Sequence, residues 1–207
     1  LLNQSKLLKH NKGVLTMKSI KGTKTEKNLL MTFAGESQAR MRYTFWASAA
    51  KKEGYEQISA IFTETADQEK EHAERMFKFL EGGDVEITAS YPAGQIRSTF
   101  ENLEEAARGE EHEYIDLYPV CADVADAEGF PEVAEMYRAV SVAEKFHAER
   151  YRALAENIKE GHVFERTTEK KWRCRNCGYV MEGNAAPEIC PACLHPRAYY
   201  EIAAENY

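Results

Sequence analysis

The chain has 207 residues, of which 43% are hydrophobic and 29% charged, a composition typical of one or two globular domains. Its formal net charge of -7 argues against nucleic acid as the main partner, because phosphate binding requires a basic surface. No apolar run approaches the ~20 residues that a membrane-spanning helix needs, so the sequence also predicts no membrane partner.

Residues 1–16 differ from the rest of the chain, because they are basic and contain no acidic residue. They also lack the apolar stretch of a signal peptide. We interpret them as an extension outside the fold, with Met17 as the natural start. Without an export signal, the predicted location is the cytoplasm.

Four segments carry apolar residues at helical spacing, and helices are predicted over about 25–53, 55–81, 97–127 and 131–160. Steps of three and four residues define one seam along each of the last three, the pattern of a helical bundle. In the third helix the seam consists of Leu103, Ala106, Glu110, Glu113, Leu117, Val120 and Val124. Pro119 lies inside this helix and predicts a kink, because it removes a backbone hydrogen bond.

The connections predict how the helices are arranged. A single glycine, Gly54, joins the first two helices, and residues 128–130 join the last two, so each pair should be antiparallel. Residues 82–96 form a longer connection, which is unusual unless it crosses the bundle. The predicted fold is mainly α, a ferritin-like four-helix bundle with one long crossover.

The heptapeptide EKEHAER at 69–75 returns as EKFHAER at 144–150, and both copies lie in phase with an apolar seam. Seven carboxylate or imidazole side chains occupy seam positions in total: Glu36, Glu69, His72, Glu110, Glu113, Glu144 and His147. An unpaired carboxylate is disfavoured in an apolar core, and five of them would also repel one another. Cations at the centre of the bundle remove both costs.

The spacing and the ligand types predict a pair of metal ions. Residues three apart point the same way from a helix, so each Glu-x-x-His can reach one site. Oxygen-rich sites with one imidazole per ion suit iron or manganese better than structural zinc. Di-iron bundles use one Glu from each of two helices and Glu-x-x-His from the other two, and Glu113 is one ligand more than that pattern needs.

The composition changes near the C-terminus, where four of the five cysteines form two C-x-x-C pairs: Cys174, Cys177, Cys190 and Cys193. Four thiolates at this spacing predict a tetrahedral site for zinc or a single iron, and so short a segment needs the metal to fold. Iron is favoured over a zinc ribbon by three nearby residues and by the neighbouring di-metal bundle. The residues are Gly178, which follows the second cysteine, and the aromatic residues Trp172 and Tyr179. The fifth cysteine, Cys121, is predicted to be a small buried apolar residue.

Together these motifs resemble the rubrerythrin family over residues 17–207. The resemblance implies a ferritin-like di-iron domain over 17–165 and a small rubredoxin-like Fe(Cys)4 ribbon domain over 170–207. It implies that Glu36 and Glu110 are terminal ligands, that Glu69 and Glu144 bridge the two irons, and that His147 binds one of them. On the other iron, His72 and Glu113 would exchange with oxidation state, and Tyr43 and Tyr118 would donate hydrogen bonds to the carboxylates.

The resemblance also implies a function, a peroxidase that reduces hydrogen peroxide and protects an anaerobic or microaerophilic cell from oxidative stress. Electrons would come from a separate NAD(P)H-linked reductase or a rubredoxin, through the Fe(Cys)4 centre. A linker of about ten residues after the last helix favours a head-to-tail homodimer or higher oligomer over transfer within one chain. Two alternatives stay open: a ferroxidase or iron-storage protein, and a non-enzymatic binding module built on a zinc ribbon.

Overall fold

The computed structural model describes residues 18–206, so the predicted extension and Met17 lie outside the described part of the chain. The helices are α1 (Lys24–Lys52), α2 (Glu56–Phe77), α3 (Thr99–His112), α4 (Tyr118–Ala127) and α5 (Pro131–Lys159). The strands are β1 (Glu165–Cys174), β2 (Val180–Ala185) and β3 (Tyr200–Ile202). This arrangement confirms the predicted fold class, a four-helix bundle followed by a small ribbon.

Local sequence signals set the helix ends. Thr23 caps α1 by accepting a hydrogen bond from the backbone N–H of Glu26, and Ser98 forms a reciprocal capping box with Glu101 at the start of α3. Gly54 and Gly129 adopt left-handed backbone angles in the short turns after α1 and α4, where a residue with a Cβ would be strained. These tight turns make α1–α2 and α4–α5 antiparallel neighbours.

The long connection between α2 and α3, residues 78–98, crosses the outside of the bundle as an exposed segment. Tyr91 attaches it to α1 by donating a hydrogen bond of 2.5 Å to the carbonyl of Met31. A Cβ at Gly94 would lie 2.8 Å from Glu105 Oε1, so the segment also packs closely on α3. Within the described residues, no helix combines the length and apolar character that crossing a bilayer would require.

The predicted third helix is interrupted by a π-helical segment, Glu113–Leu117, which joins α3 to α4. The backbone N–H of Tyr118 donates to the carbonyl of Glu113, five residues back. With the same five-residue spacing, the residue at position 119 would donate to the carbonyl of Tyr114, but Pro119 has no N–H. The hydroxyl of Ser141 donates to that carbonyl instead, at 3.2 Å. The interruption therefore ends two residues before the proline that predicted a kink.

The π-helical segment adds one residue to the turn and shifts every later seam position by one. The predicted seam position Val120 was therefore wrong, since its side chain is 60% exposed, whereas Leu117 and Val124 are partly buried at the edge of the seam. The buried residues are those one position later, Tyr118, Cys121 and Ala125. The prediction that Cys121 is a buried apolar residue is confirmed.

The ribbon is a three-stranded antiparallel sheet in the order β2-β1-β3. Its small core contains Trp172, Cys174, Cys190 and Tyr200. Because β1 begins at Glu165, the connection from α5 is residues 160–164, shorter than the predicted linker of about ten residues. Phe164 stacks on Tyr55 with ring centroids 6.1 Å apart, which places the ribbon at the α1–α2 turn of its own chain.

Candidate metal centres

The centre of the bundle gathers six of the seven predicted ligands from four helices, α1, α2, α3 and α5. Their donor atoms form two groups, each lying within 4.8 Å: Glu36, Glu69, His72 and Glu144, and Glu69, Glu110, Glu144 and His147. Glu69 and Glu144 belong to both groups. The arrangement is that of two adjacent metal positions with two shared carboxylates.

Each shared carboxylate turns one oxygen to each histidine. Glu144 Oε1 lies 2.9 Å from Nδ1 of His72, and its Oε2 lies 2.8 Å from Nδ1 of His147. Glu69 does the same, with Oε2 at 3.1 Å from His72 and Oε1 at 3.3 Å from His147. This is the geometry that a carboxylate needs to bridge two ions.

In the part of the chain that the structure describes, protein groups alone leave several carboxylate oxygens of this cluster without a hydrogen-bond partner. The four carboxylates Glu36, Glu69, Glu110 and Glu144 are buried. Among the described residues, hydrogen-bond partners are missing for one oxygen each of Glu36, Glu69 and Glu110 and for both oxygens of Glu144. Burial raises the pKa of Glu36 and of Glu110, and the neighbouring Glu69 carboxylate raises both further. Bound cations would satisfy these oxygens and remove the repulsion, so the donor set fits metal ions.

The two imidazoles respond to the same concentration of negative charge. Burial by itself lowers the pKa of a histidine, but attraction to the nearby carboxylates more than offsets it. The pKa of His72 rises to about 10, chiefly through Glu144 and Glu69, and that of His147 to about 12, chiefly through Glu110 and Glu144. A metal ion must therefore displace a proton from each ring before it binds.

Hydrogen bonds from outside the cluster hold the ligands in place. Tyr43 donates to Glu110 and Tyr118 donates to Glu36, so both are donors to the carboxylates, as the family resemblance implied. Gln68, which the sequence analysis missed, has its Oε1 3.0 Å from Nε2 of His147. This contact leaves Nδ1 facing the carboxylates, and such outer partners fix ring orientation in metal sites. Two features of the sequence could have indicated Gln68. It stands next to the predicted ligand Glu69, and a histidine that binds metal through one ring nitrogen needs a hydrogen-bond acceptor for the other.

Glu113 is the one predicted ligand that lies outside both groups. It begins the π-helical segment and is half-buried. Burial and the nearby Glu110 raise its pKa well above the ordinary range. Its carboxyl group therefore lies close enough to interact electrostatically with the cluster. Its role as a ligand stays a prediction.

The ribbon gathers its four cysteines into a second candidate centre, with the sulfur atoms all within 4.8 Å of one another. Cys174 Sγ lies 3.8 Å from Cys193 Sγ, and Cys177 Sγ lies 3.7 Å from Cys190 Sγ. Four sulfurs around one ion, with bonds of about 2.3 Å, would be about 3.8 Å apart at the corners of a tetrahedron. The spacing therefore matches a tetrahedral metal site.

Two similar turns present these cysteines. Gly178 donates its N–H to the carbonyl of Cys174 and Leu194 donates to that of Cys190, both at 2.9 Å. Both residues have positive φ, 78° for Gly178 and 59° for Leu194. The second turn therefore uses a side chain where the first uses glycine. Trp172 is buried against the cysteines and its indole donates to the carbonyl of Gly183 at 2.9 Å.

A four-helix bundle with two carboxylate-bridged metal positions and a four-cysteine ribbon defines a class of di-iron protein with an added rubredoxin-like domain. The model of the rubrerythrin family matches residues 27–155. A second model, described as the rubredoxin-like domain of rubrerythrin, matches residues 172–201. The chain belongs to the rubrerythrin family.

Individual relatives agree over nearly the whole length. The rubrerythrin of Porphyromonas gingivalis is 62% identical over 190 residues, which cover 92% of this chain and 95% of the relative. The rubrerythrin of Nitratidesulfovibrio vulgaris is 58% identical over 191 residues, covering 92% and 100%. A structure of fully reduced, all-ferrous nigerythrin is similar with a TM-score of 0.59 and 31% identity, covering 92% and 91%.

Family membership and the two ligand clusters together settle the cofactors and the broad function. The chain carries a di-iron site in the bundle and a four-cysteine iron site in the ribbon. It is an iron-centre protein with a redox function. The choice of iron over zinc in the ribbon is confirmed, and the non-enzymatic zinc-ribbon hypothesis loses its basis.

Proposed function

We propose that the chain is a peroxidase that reduces hydrogen peroxide, consuming two electrons and two protons per peroxide and releasing two waters. The observation that carries this proposal is the pair of shared carboxylates, Glu69 and Glu144, each with one oxygen toward each histidine. This geometry holds two redox ions side by side, and a two-electron reaction at one place needs both. The physiological role that follows is protection against oxidative stress.

The ligand roles follow the two groups. Glu36 is the terminal carboxylate of the position that includes His72, and Glu110 is the terminal carboxylate of the position that includes His147. Glu113 is the alternative to His72, since an oxidised ion favours an anionic oxygen and a reduced ion favours a neutral nitrogen. When bound, the two ferrous ions supply the two electrons and a Lewis-acidic surface for peroxide.

The protein's own groups orient the site and hold its protons. Burial raises the pKa of the Tyr43 and Tyr118 phenols well above their ordinary range, so both stay protonated and keep donating to Glu110 and Glu36. Those hydrogen bonds fix the terminal carboxylates while the charge on the ions changes. Gln68 holds the ring of His147 in the tautomer that presents Nδ1 to the cluster.

The position of the ribbon supports electron transfer between subunits. The ribbon packs at Tyr55, whereas Glu69 lies fourteen residues further on, roughly 21 Å along a helix at 1.5 Å per residue. We therefore propose a head-to-tail homodimer or higher oligomer, in which the ribbon of one chain lies near the di-iron site of another. The external donor would be an NAD(P)H-linked reductase or a rubredoxin, in the cytoplasm.

Anaerobic stopped-flow oxidation of the reduced protein tests the activity. Hydrogen peroxide should oxidise the bundle irons much faster than air-saturated buffer does. A ferroxidase would instead react preferentially with oxygen and accumulate ferric mineral when extra Fe(II) is supplied, and that result would overturn the proposal. The full-length Cys190→Ser variant, which lacks a ribbon ligand, should lose reductase-coupled turnover while its chemically reduced bundle still reacts with peroxide.

Sedimentation of the iron-loaded protein tests the assembly. A dimer or larger species is expected across the concentrations used for turnover. A monomer with full reductase-coupled turnover would show that electrons pass within one chain.

A further inference from the structure

A cavity of about 170 Å³ lies beneath the segment that crosses the bundle. We call it the crossover cavity, and its walls include Gly35, Gln38, Arg42, Tyr91, Gly109 and Glu113. Tyr118, which donates to Glu36, also lines it. The cavity therefore extends from the exposed crossover segment to two residues that adjoin the ligand cluster.

Two glycines keep this space open. Gly35 and Gly109 each immediately precede a predicted ligand, Glu36 on α1 and Glu110 on α3. A Cβ on Gly35 would lie 3.5 Å from the ring of Tyr91, and a Cβ on Gly109 would meet no atom within 4 Å. Glycine inside a helix costs roughly 0.5–1 kcal/mol relative to alanine. Here that cost leaves room beside the metal positions.

The walls combine apolar and polar surface in the way that suits a small polar molecule. The guanidinium of Arg42 lies over the rings of Tyr43 and Trp46, at 6.0 and 5.5 Å from their centroids. Its buried Nε has no hydrogen-bond partner among the described residues. A water needs only ~15 Å³ of cavity, so several small polar molecules fit in the roughly 170 Å³ available, whereas a single organic group the size of a benzene ring would fill most of it.

Tyr91 forms the outer wall. It is 37% exposed, it is fixed to α1 by its hydrogen bond to the carbonyl of Met31, and its ring lies 3.5 Å from where a Cβ on Gly35 would be. Neighbouring residues of the crossover segment are exposed. Tyr91 thus lies at the solvent side of the cavity, together with the exposed lining residues Ser90, Pro92 and His112.

We propose that the crossover cavity is the entry route to the di-iron site and that Tyr91 and Gly109 restrict it to hydrogen peroxide, excluding bulky organic hydroperoxides. The choice of peroxide rests on the function proposed above. The route itself rests on the cavity and applies to any small ligand of the irons.

Three variants of the iron-loaded protein test the route. Gly109→Leu adds a large side chain to the wall of the cavity where an added Cβ would meet no atom of the described residues within 4 Å. Gly109→Ala is a milder change that also raises helix propensity. Tyr91→Ala opens the outer wall. Phe77→Ala is the matched control, because it removes an exposed aromatic ring from the α1–α2 side of the bundle, where Phe77 packs on Phe33. Circular dichroism and iron content establish that each variant is folded and loaded.

Two readouts are measured for each variant. One is the rate at which hydrogen peroxide and cumene hydroperoxide oxidise the reduced protein, and the other is the optical association rate of azide with the oxidised protein. Gly109→Leu should slow azide and hydrogen peroxide by about tenfold or more, and Tyr91→Ala should raise the cumene hydroperoxide rate by a similar factor. Phe77→Ala should change none of these rates.

The two proposals fail in different ways. If the unaltered protein reacts no faster with peroxide than with air, the proposed function is wrong, while the azide rates still test the route. If Tyr91→Ala and both Gly109 variants leave the azide rate unchanged, or if Phe77→Ala changes it equally, the crossover cavity is not the entry route. Should Gly109→Leu fail to fold, Gly109→Ala and Tyr91→Ala decide the question.

Discussion

The two metal centres are built in opposite ways. In the bundle, the ligands come from four helices and from positions as far apart as Glu36 and His147, and separate apolar clusters lie on either side of them. In the ribbon, the ligands come from two short turns between Cys174 and Cys193, and two of the five buried core residues are themselves cysteines. The bundle thus has a core apart from its ligands, whereas in the ribbon two of the ligands are themselves part of the core.

Because of this difference, we expect the metal ions to contribute to the stability of the two regions in different ways. In the bundle, the ions relieve the cost of buried carboxylates inside a fold that apolar packing already supports. In the ribbon, the ion replaces the packing that so few residues cannot supply. Removing metal should therefore affect the two regions unequally.

The largest expected effect is the loss of the ribbon on metal removal, since binding of structural zinc to peptides of similar size contributes about 10–16 kcal/mol to folding. The chain has two tryptophans, Trp46 in the bundle and Trp172 in the ribbon, and both are buried. After chelation near pH 6, the emission of Trp172, read in the Trp46→Phe variant, should shift to the red. The emission of Trp46, read in Trp172→Phe, should stay blue. Equal red shifts would remove the distinction between the regions.

A smaller but still large effect is expected when a shared carboxylate is lost. Glu144 serves both ligand groups and Glu36 serves one. Glu144→Gln should therefore empty both iron positions of the bundle, and Glu36→Gln should empty one, as measured by iron analysis after dialysis. Glu111→Gln is the control, because Glu111 pairs with Arg152 at the surface. Retention of one bundle iron by Glu144→Gln would contradict the bridging role.

Stability of the metal-free bundle should fall as pH rises. Burial and then neighbouring carboxylates raise the pKa of Glu36, Glu110 and Glu113 above 4.5. Carboxylate contacts, outweighing burial, raise the pKa of His72 and His147 from 6.5 to about 10 and about 12. All five groups bind protons more tightly in the folded state, so unfolding releases protons and is favoured at higher pH.

The pH window follows from those values. The carboxyl contribution is present below about pH 4.5 and declines above it, and the histidine contribution is present below about pH 6.5 and is lost toward pH 10–12. Urea unfolding followed by Trp46 emission should give a lower midpoint at pH 9 than at pH 5. The iron-loaded protein should show no such fall over this range, because bound metal keeps the same ligands deprotonated. A metal-free midpoint that rises with pH would contradict the electrostatic account.

Much of both centres could be predicted from sequence because each rests on a repeated local pattern. Glu-x-x-His places two ligands on one helix face, and C-x-x-C places two sulfurs on one turn, whatever surrounds them. Gln68 carried no such pattern, since its role depends on which ring nitrogen of His147 faces the cluster. The domain boundaries and the role of Glu113 stay predictions.

Periodicity failed where the helix itself changed period. Counting by three and four from Glu110 leads to Val120, which is exposed, because the count assumes 3.6 residues per turn. The π-helical segment has a wider turn and moves the seam to Cys121. Pro119 indicated that the helix is interrupted, but a proline does not specify whether the turn kinks, breaks or widens.

The smallest expected effect tests how that wide turn is supported. The hydroxyl of Ser141 donates to the carbonyl of Tyr114, which Pro119 leaves without a backbone donor. Ser141→Ala should cost ~1 kcal/mol in the free energy of unfolding, because it leaves a part-buried carbonyl unsatisfied. In a Pro119→Ala background the restored N–H can reach the same carbonyl, so the cost of Ser141→Ala should shrink. Urea unfolding of the four proteins in this double-mutant cycle measures the difference, and equal costs in both backgrounds would show that the serine supports the turn in some other way.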